Sequence, residues 1–126
     1  MKRYYLGALL LTLTTTLFSQ ETGATLTDKT CSGCHLFSSS SSKLTDGKMG
    51  GPPMWGILKK IRNRYSDKDA QIAFIADYAM HPSEKKMLFP AATREYFGVM
   101  PSMQDRLSKE DMQIIARYLV DYSAVK

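Results

Sequence analysis

Two cysteines and a histidine in one short stretch are the residues of this sequence whose types and spacing could do chemistry. Cys31 and Cys34 are the only cysteines among 126 residues, and His35 follows directly, giving C-x-x-C-H. On a helix, positions i, i+3 and i+4 lie on one face. Two thiols on that face can bond to the two vinyl groups of one porphyrin, while the imidazole binds its iron. The spacing is the attachment signature of c-type haem and predicts one covalently bound haem.

Three other interpretations of the same residues explain less of the sequence. A thioredoxin-like redox pair also uses C-x-x-C, but in a strand–helix–strand context that this sequence does not offer. A structural zinc site needs four ligands, and only the distant His81 is left to complete the set. A plain disulfide between Cys31 and Cys34 gives His35 no role. Haem attachment is therefore the favoured prediction.

Residues 1–19 have the layout of a secretory signal peptide. Lys2 and Arg3 precede an apolar run from Tyr4 to Phe18, and small and polar residues follow. A bilayer span needs about 20 mainly apolar residues, more than this run provides. We predict a cleaved signal over residues 1–19, one domain over residues 20–126, export to the periplasm, and no membrane span in the mature form. An uncleaved anchor is the alternative.

The hydrophobic pattern predicts an all-α domain of short helices and long loops. Helices are expected over residues 22–37, over 54–64, from a Ser66 capping box to Met80, and from a Ser108 capping box to about Tyr122, with a helical turn over 91–96. The His-Pro step at 81–82 ends the third of these. The last helix presents an apolar stripe made of Met112, Ile115, Ala116 and Leu119. Loops this long need something to pack on, which a cofactor would supply.

Several segments outside the motif carry characteristic residues. Gly23 stands eight residues before Cys31, and the last helix contains Ile115, Tyr118 and Leu119 in an L-x-x-Y-L pattern. The segment Gly51-Pro52-Pro53-Met54-Trp55-Gly56 is similar to G-P-x-L-x-G, and Val99-Met100-Pro101 contains an M-P step. With the C-x-x-C-H motif, the chain from Gly23 to Tyr122 resembles a class I monohaem cytochrome c of the bacterial periplasmic type. Thr27 departs from the pattern, because an aromatic residue is common at that position.

The resemblance implies a fold and a ligand set. It implies a small cytochrome c-like fold in which the first and last helices cross, with Tyr118 against Gly23, and long loops wrap around one haem. It implies that the Pro52 carbonyl accepts the proton of His35, and that His35 and Met100 are the axial ligands. Met103 and His81 are the rivals for the sixth position. Pro101 restricts the backbone of Met100, which suits a loop that holds a sulfur rigidly.

Two filled axial positions leave no place for a substrate on the iron. The sequence therefore predicts outer-sphere electron transfer between redox partner proteins, performed by a monomer, and not catalysis. A haem c subunit of a multi-protein oxidoreductase is an alternative, as is a gas-binding haem protein if the sixth ligand is labile. Nucleic-acid binding has no motif to support it.

Two further sets of side chains are candidates for supporting roles. Lys and Arg outnumber Asp and Glu by 17 to 12. One basic cluster predicts an acidic redox partner, and a solvated helix face is the alternative interpretation. The cluster consists of Lys59, Lys60, Arg62, Arg64 and Lys68. Six aromatic residues are expected to form the walls of the haem site: Trp55, Phe74, Tyr78, Phe89, Tyr96 and Phe97.

Overall fold

Helices make up the regular structure of the described chain. The computed structural model describes the backbone of residues 15–38 and 49–122, with side chains from Gly23 onward. Its helices are α1 (Thr15–Cys31), α2 (Met54–Arg64), α3 (Lys68–Met80), α4 (Ala91–Phe97) and α5 (Lys109–Asp121), with a 3₁₀ turn at Glu84–Lys86. No strand occurs in these ranges, so the all-α prediction is confirmed. Among the helices described, none has the length and hydropathy required to cross a bilayer.

The apolar stripe of α5 is the centre of the core. Its members Met112, Ile115, Ala116 and Leu119 are at most 4% exposed, as the periodicity of the sequence predicts. Both α1 and α3 pack against α5, and α2 contacts α3. Fully burying one large aliphatic side chain contributes about 1.5–3 kcal/mol, so this shared stripe is a main source of stability.

The first and last helices cross closely at Gly23. A Cβ added to Gly23 would lie 3.0 Å from the Cβ of Tyr118, so α5 contacts the bare backbone of α1. This confirms the predicted crossing and explains why a residue without a side chain stands there. One turn further along α1, Thr27 is only 1% exposed, and its hydroxyl has no hydrogen-bond partner in the described part of the chain.

Local capping residues set most of the helix ends. α2 has the predicted bounds, and α5 begins after Ser108, whose Oγ accepts a hydrogen bond from the Asp111 N–H at 3.0 Å. The cap of α3 is Asp67 and not the predicted Ser66: an Asp67 carboxylate oxygen accepts from the Ala70 N–H at 2.9 Å. Both residue types are good caps, and the second of the pair is the one used. The helix ends at Met80 as predicted, since a proline follows two residues later.

The prediction for the first helix is wrong in its extent. α1 ends at Cys31, six residues before the predicted end at 37. The chain beyond it bonds to a distant segment instead of continuing the helix: the Cys34 carbonyl accepts from Gly50 and Gly51, and the Leu36 carbonyl accepts from Met54. The helix also begins at Thr15, inside the predicted signal peptide, whose first 14 residues lie outside the described range.

Candidate haem site

The C-x-x-C-H motif lies in a helix-like turn at the end of α1. Cys31 is the last helical residue, and its carbonyl accepts hydrogen bonds from the N–H groups of Cys34 at 3.2 Å and His35 at 3.0 Å. Ser32 is buried, and its hydroxyl donates to the Asp28 carbonyl one turn earlier. The two thiols and the imidazole are therefore held in a fixed relation although the α-helix itself has ended.

His35 is fixed by a contact 17 residues away. Its Nδ1 lies 2.7 Å from the Pro52 carbonyl oxygen, which can only accept, so Nδ1 carries the proton and Nε2 keeps its lone pair. Burial lowers the pKa of His35, and the Pro52 contact offsets part of this effect. At neutral pH the imidazole is thus in the neutral form that binds a metal ion.

Two glycines form a close-fitting cradle for the motif. A Cβ at Gly51 would lie 2.5 Å from Cε1 of His35, a separation that real side chains do not reach. A Cβ at Gly50 would lie 3.1 Å from Sγ of Cys34. Because the N–H groups of both glycines also donate to the Cys34 carbonyl, their backbone cannot move aside without breaking these bonds.

One cavity collects the candidate ligands. Cys31, Cys34, His35 and Met100 all line it. The other walls are mainly apolar side chains of α2, α3 and the segments 87–89 and 97–101, including Ile57, Leu58, Ile61, Ile75, Leu88 and Val99. Four of the six aromatic residues expected there also line the cavity: Phe74, Tyr78, Phe89 and Phe97. Trp55 is not among the lining residues, and neither is Tyr96, which is 81% exposed.

The three candidates for the sixth ligand differ in position. His81 caps the end of α3, is exposed, and does not line the cavity. Met103 lines it but belongs to the buried core, and its N–H donates to the Ala79 carbonyl at 2.9 Å. Met100 also lines the cavity and is half-buried. A backbone hydrogen bond with Met100 lowers the pKa of Tyr78, against the larger, raising effect of burial.

The donor set around this cavity fits a haem c. It offers two thiols, an imidazole with a lone pair on Nε2, and a thioether, against an apolar wall. Burial and the neighbouring Cys34 raise the pKa of the Cys31 thiol to about 12, so it is a neutral thiol at physiological pH. Within the described ranges, no group of three or more His, Cys, Asp and Glu side chains is placed to hold a metal ion, so the zinc interpretation gains no support there.

Comparison with known proteins identifies the family of the chain. The model of the family described as "Cytochrome c" matches residues 20–123. The chain belongs to the cytochrome c family. A covalently bound haem c with its iron follows from this membership, and the chain's two cysteines stand in the matching C-x-x-C-H motif.

The similarity to individual proteins is more distant. An uncharacterised protein of Aquifex aeolicus (strain VF5) is 27% identical over 101 residues, which covers 72% of this chain and 66% of that protein. The chain thus spans slightly less than two thirds of the length of that protein. No solved structure matches the chain.

The basic cluster of the cytochrome c domain is smaller than its sequence suggests. Lys68 forms an ion pair with Asp121 at 2.8 Å, and the Arg62 guanidinium donates to the Tyr122 carbonyl at 2.9 Å. Arg64 stacks over the ring of its neighbour Tyr65, 5.2 Å from the centroid. These partners come from α5 or the end of α2. Lys60 also lies over an aromatic ring, with its Nζ 5.9 Å from the Phe89 centroid. Of the five, only Lys68 has its charge paired with an acid in the described structure.

Some residues of the site were not predicted from the sequence. Two basic side chains, Lys60 and Arg106, line the otherwise mainly apolar cavity. A hydrophobicity pattern cannot reveal them, because it carries no information on which loop faces which helix. The fit of Gly51 against His35 is the one missed feature with a signal, since two adjacent glycines before two prolines are unusual for a simple loop.

Proposed function

We propose that the protein is an exported, monomeric electron carrier with a single haem c of class I type. In this proposal Cys31 and Cys34 would hold the haem, and His35 and Met100 would bind its iron. The observation that supports it best is the convergence of these four side chains on one apolar cavity. The haem, when bound, supplies reversible one-electron exchange, and the protein sets its potential and its access to water.

His35 is suited to the proximal position. Because Nδ1 donates to the Pro52 carbonyl, Nε2 is the nitrogen left for the iron, and the same bond fixes the orientation of the ring. Gly51 packs directly against the imidazole, which limits tilting of the ring. This arrangement would keep the imidazole in one orientation in both oxidation states of a bound haem, as a carrier requires.

Met100 is the better candidate for the sixth position. Met103 is part of the buried core and is tied to α3 through its own N–H, whereas Met100 lies in the stretch between Gly98 and Pro101 that lines the cavity. A thioether is a soft ligand that favours ferrous iron and raises the reduction potential. Two protein ligands would leave no open coordination position, which favours outer-sphere transfer between redox partners over catalysis.

Exchange of each methionine for alanine tests the ligand assignment. In Met100→Ala the weak sulfur-to-iron absorption band of the oxidised protein should disappear from the far-red region, and the potential should fall. In Met103→Ala the band should persist. The opposite pattern would assign the sulfur to Met103, and a band unaffected by either change would exclude methionine ligation.

The proposed export can be tested by the mass of the mature protein. Processing near Gln20 would remove Thr15–Ser19, the first five residues of α1, and leave the part of the helix that contacts α5. We expect a periplasmic protein that begins near Gln20 and carries the mass of one haem. A product that retains residues 1–19 would favour a membrane anchor.

A further inference from the structure

The end of α3 has carbonyl groups that the helix itself does not use. A helix leaves its last carbonyls without intrahelical donors. Pro82 has no N–H, so the residues directly after α3 offer one donor fewer to these carbonyls. Here the segment 100–103 provides the donors. The Ala79 carbonyl accepts from the Met103 N–H at 2.9 Å, and the Met80 carbonyl accepts from the Ser102 hydroxyl at 2.6 Å.

Tyr78, in the same turn of α3, also meets this segment. A backbone hydrogen bond with Met100 lowers the pKa of Tyr78, against the larger, raising effect of burial. Ser102 also accepts a hydrogen bond, from the Gln104 N–H at 3.2 Å. Its hydroxyl thus connects the helix end to the chain on the far side of the ligand segment.

The segment is also constrained on its other side. Gly98 caps α4 with φ of 71° and ψ of −167°, a conformation that side-chain-bearing residues rarely adopt. Pro101 fixes the backbone between Met100 and Ser102. Met100 therefore lies between a turn set by Gly98 and an attachment made by Ser102, with little freedom between them.

We propose that Ser102 is a positioning residue, whose hydroxyl holds the Met100 segment on the end of α3 and thereby keeps the Met100 sulfur at the haem iron. This proposal rests on the assignment of Met100 as sixth ligand. Ser102 is exposed and does not line the cavity, so it acts through Met100 and not on the haem directly. Loss of its hydroxyl should loosen the sulfur while α3 and α5 stay folded.

The test is competition between imidazole and the sulfur in the oxidised holoprotein. In Ser102→Ala, imidazole should replace the sulfur about fivefold more readily, since one net hydrogen bond has been removed from the ligand-bound state. The far-red band should also vanish on heating well before the helices melt. Ser102→Thr keeps the hydroxyl and should restore both properties.

A matched control lies at the same helix end. Ser83 is half-buried, precedes the 3₁₀ turn, and its hydroxyl does not cap that turn. Ser83→Ala should bind imidazole as the unaltered protein does. If Ser102→Ala behaves like Ser83→Ala, or if its band is lost only as the helices melt, the positioning role is wrong.

Met100→Ala separates this proposal from the one on which it rests. If Met100→Ala loses the band and Ser102→Ala binds imidazole no more readily than the unaltered protein, the ligand assignment stands and the positioning role is overturned. If Met100→Ala keeps the band, the ligand assignment is wrong and the role of Ser102 is overturned with it.

Discussion

At the scale of single residues, the surroundings of His35 restrict its neighbours to particular types. Pro52 supplies a carbonyl 2.7 Å from Nδ1, and as a proline it adds no N–H of its own. Gly51 leaves room for the ring on that side. The choice of residue at position 51 is thus dictated by contact with the imidazole and not by a turn.

Substitution of Gly51 by alanine tests this contact. The added Cβ would lie 2.5 Å from Cε1 of His35, so either the ring or the 50–51 backbone must shift. We expect a loss of about 1–3 kcal/mol in the free energy of unfolding, the usual cost of overpacking, together with a changed absorption spectrum of the haem. Chemical denaturation of the holoprotein followed by absorption and circular dichroism measures both.

Gly56 is the matched control for that substitution. A Cβ there would meet Pro53 at 3.8 Å, an ordinary contact, and Gly56 lies inside α2. Gly56→Ala should stabilise the protein by about 0.5–1 kcal/mol through helix propensity. Equal effects at the two positions would contradict the contact argument at His35.

At the scale of helices, the crossing of α1 and α5 contains an uncompensated polar group. The Thr27 hydroxyl is buried without a partner in the described structure, at the position where the sequence departs from the family pattern. Thr27→Val removes the hydroxyl at nearly constant shape. It should raise the free energy of unfolding by about 1 kcal/mol, since a buried unsatisfied hydroxyl costs about that much or more.

The control for Thr27 is on the same helix. Thr25 is exposed, so Thr25→Val should change the stability by less than about 0.5 kcal/mol. Thermal unfolding of the two variants, followed by far-ultraviolet circular dichroism, decides the matter. A destabilised Thr27→Val protein would indicate that the hydroxyl has a function in the crossing.

The start of α3 gives a second test at this scale. Asp67, and not Ser66, accepts the hydrogen bond from the Ala70 N–H. Asp67→Ala should cost about 1 kcal/mol of stability, as the loss of an N-cap does, whereas Ser66→Ala should stay within about 0.5 kcal/mol. Denaturant midpoints of the two variants provide the measurement. A larger loss of stability in Ser66→Ala than in Asp67→Ala would show that Ser66 caps the helix, as the sequence predicts.

Some of these elements could be predicted from the sequence because their causes are local. The cap of α5 and its buried stripe depend on residues a few positions apart, and the end of α3 depends on the proline at 82. The predicted cap of α3 was wrong by one residue, because two residues that both cap helices well, Ser66 and Asp67, stand side by side. The predicted end of α1 was wrong because the carbonyls of Cys34 and Leu36 accept hydrogen bonds from residues 50–54. The hydrogen bond from Ser102 to Met80 likewise joins residues that are 22 positions apart. Local patterns carry no information on such partners.

At the scale of the whole molecule, the excess of positive charge is distributed unevenly. The ion pair of Lys68 with Asp121 cancels one member of the basic cluster, whereas Lys59 is exposed and α2 gives it no acidic neighbour. Each substitution changes the net charge by the same amount, so a difference must come from position. Lys59 stands next to Lys60, which lines the cavity, whereas Lys68 pairs with the end of α5, so Lys59 should contribute more to steering.

Electron transfer to an anionic reagent measures the difference. With ferricyanide as oxidant of the reduced holoprotein, Lys59→Gln should lower the second-order rate at low salt, and Lys68→Gln should lower it less. Both rates should approach that of the unaltered protein as salt rises past 0.15 M, where the screening length is about 8 Å. Equal effects of the two changes would show that the net charge alone determines the rate.

The hydrogen bonds from Gly50 and Gly51 to the Cys34 carbonyl also bear on how the protein can be engineered. They bring the two ends of the connection through residues 39–48 to one point beside the haem-attachment motif. Closing a chain between two fixed points depends weakly on its length, about 0.6 kcal/mol for each doubling. Extra residues inserted after Ser40 should therefore leave the His35 contacts intact. A tag placed there would tether the protein to an electrode by the side on which its haem is bound.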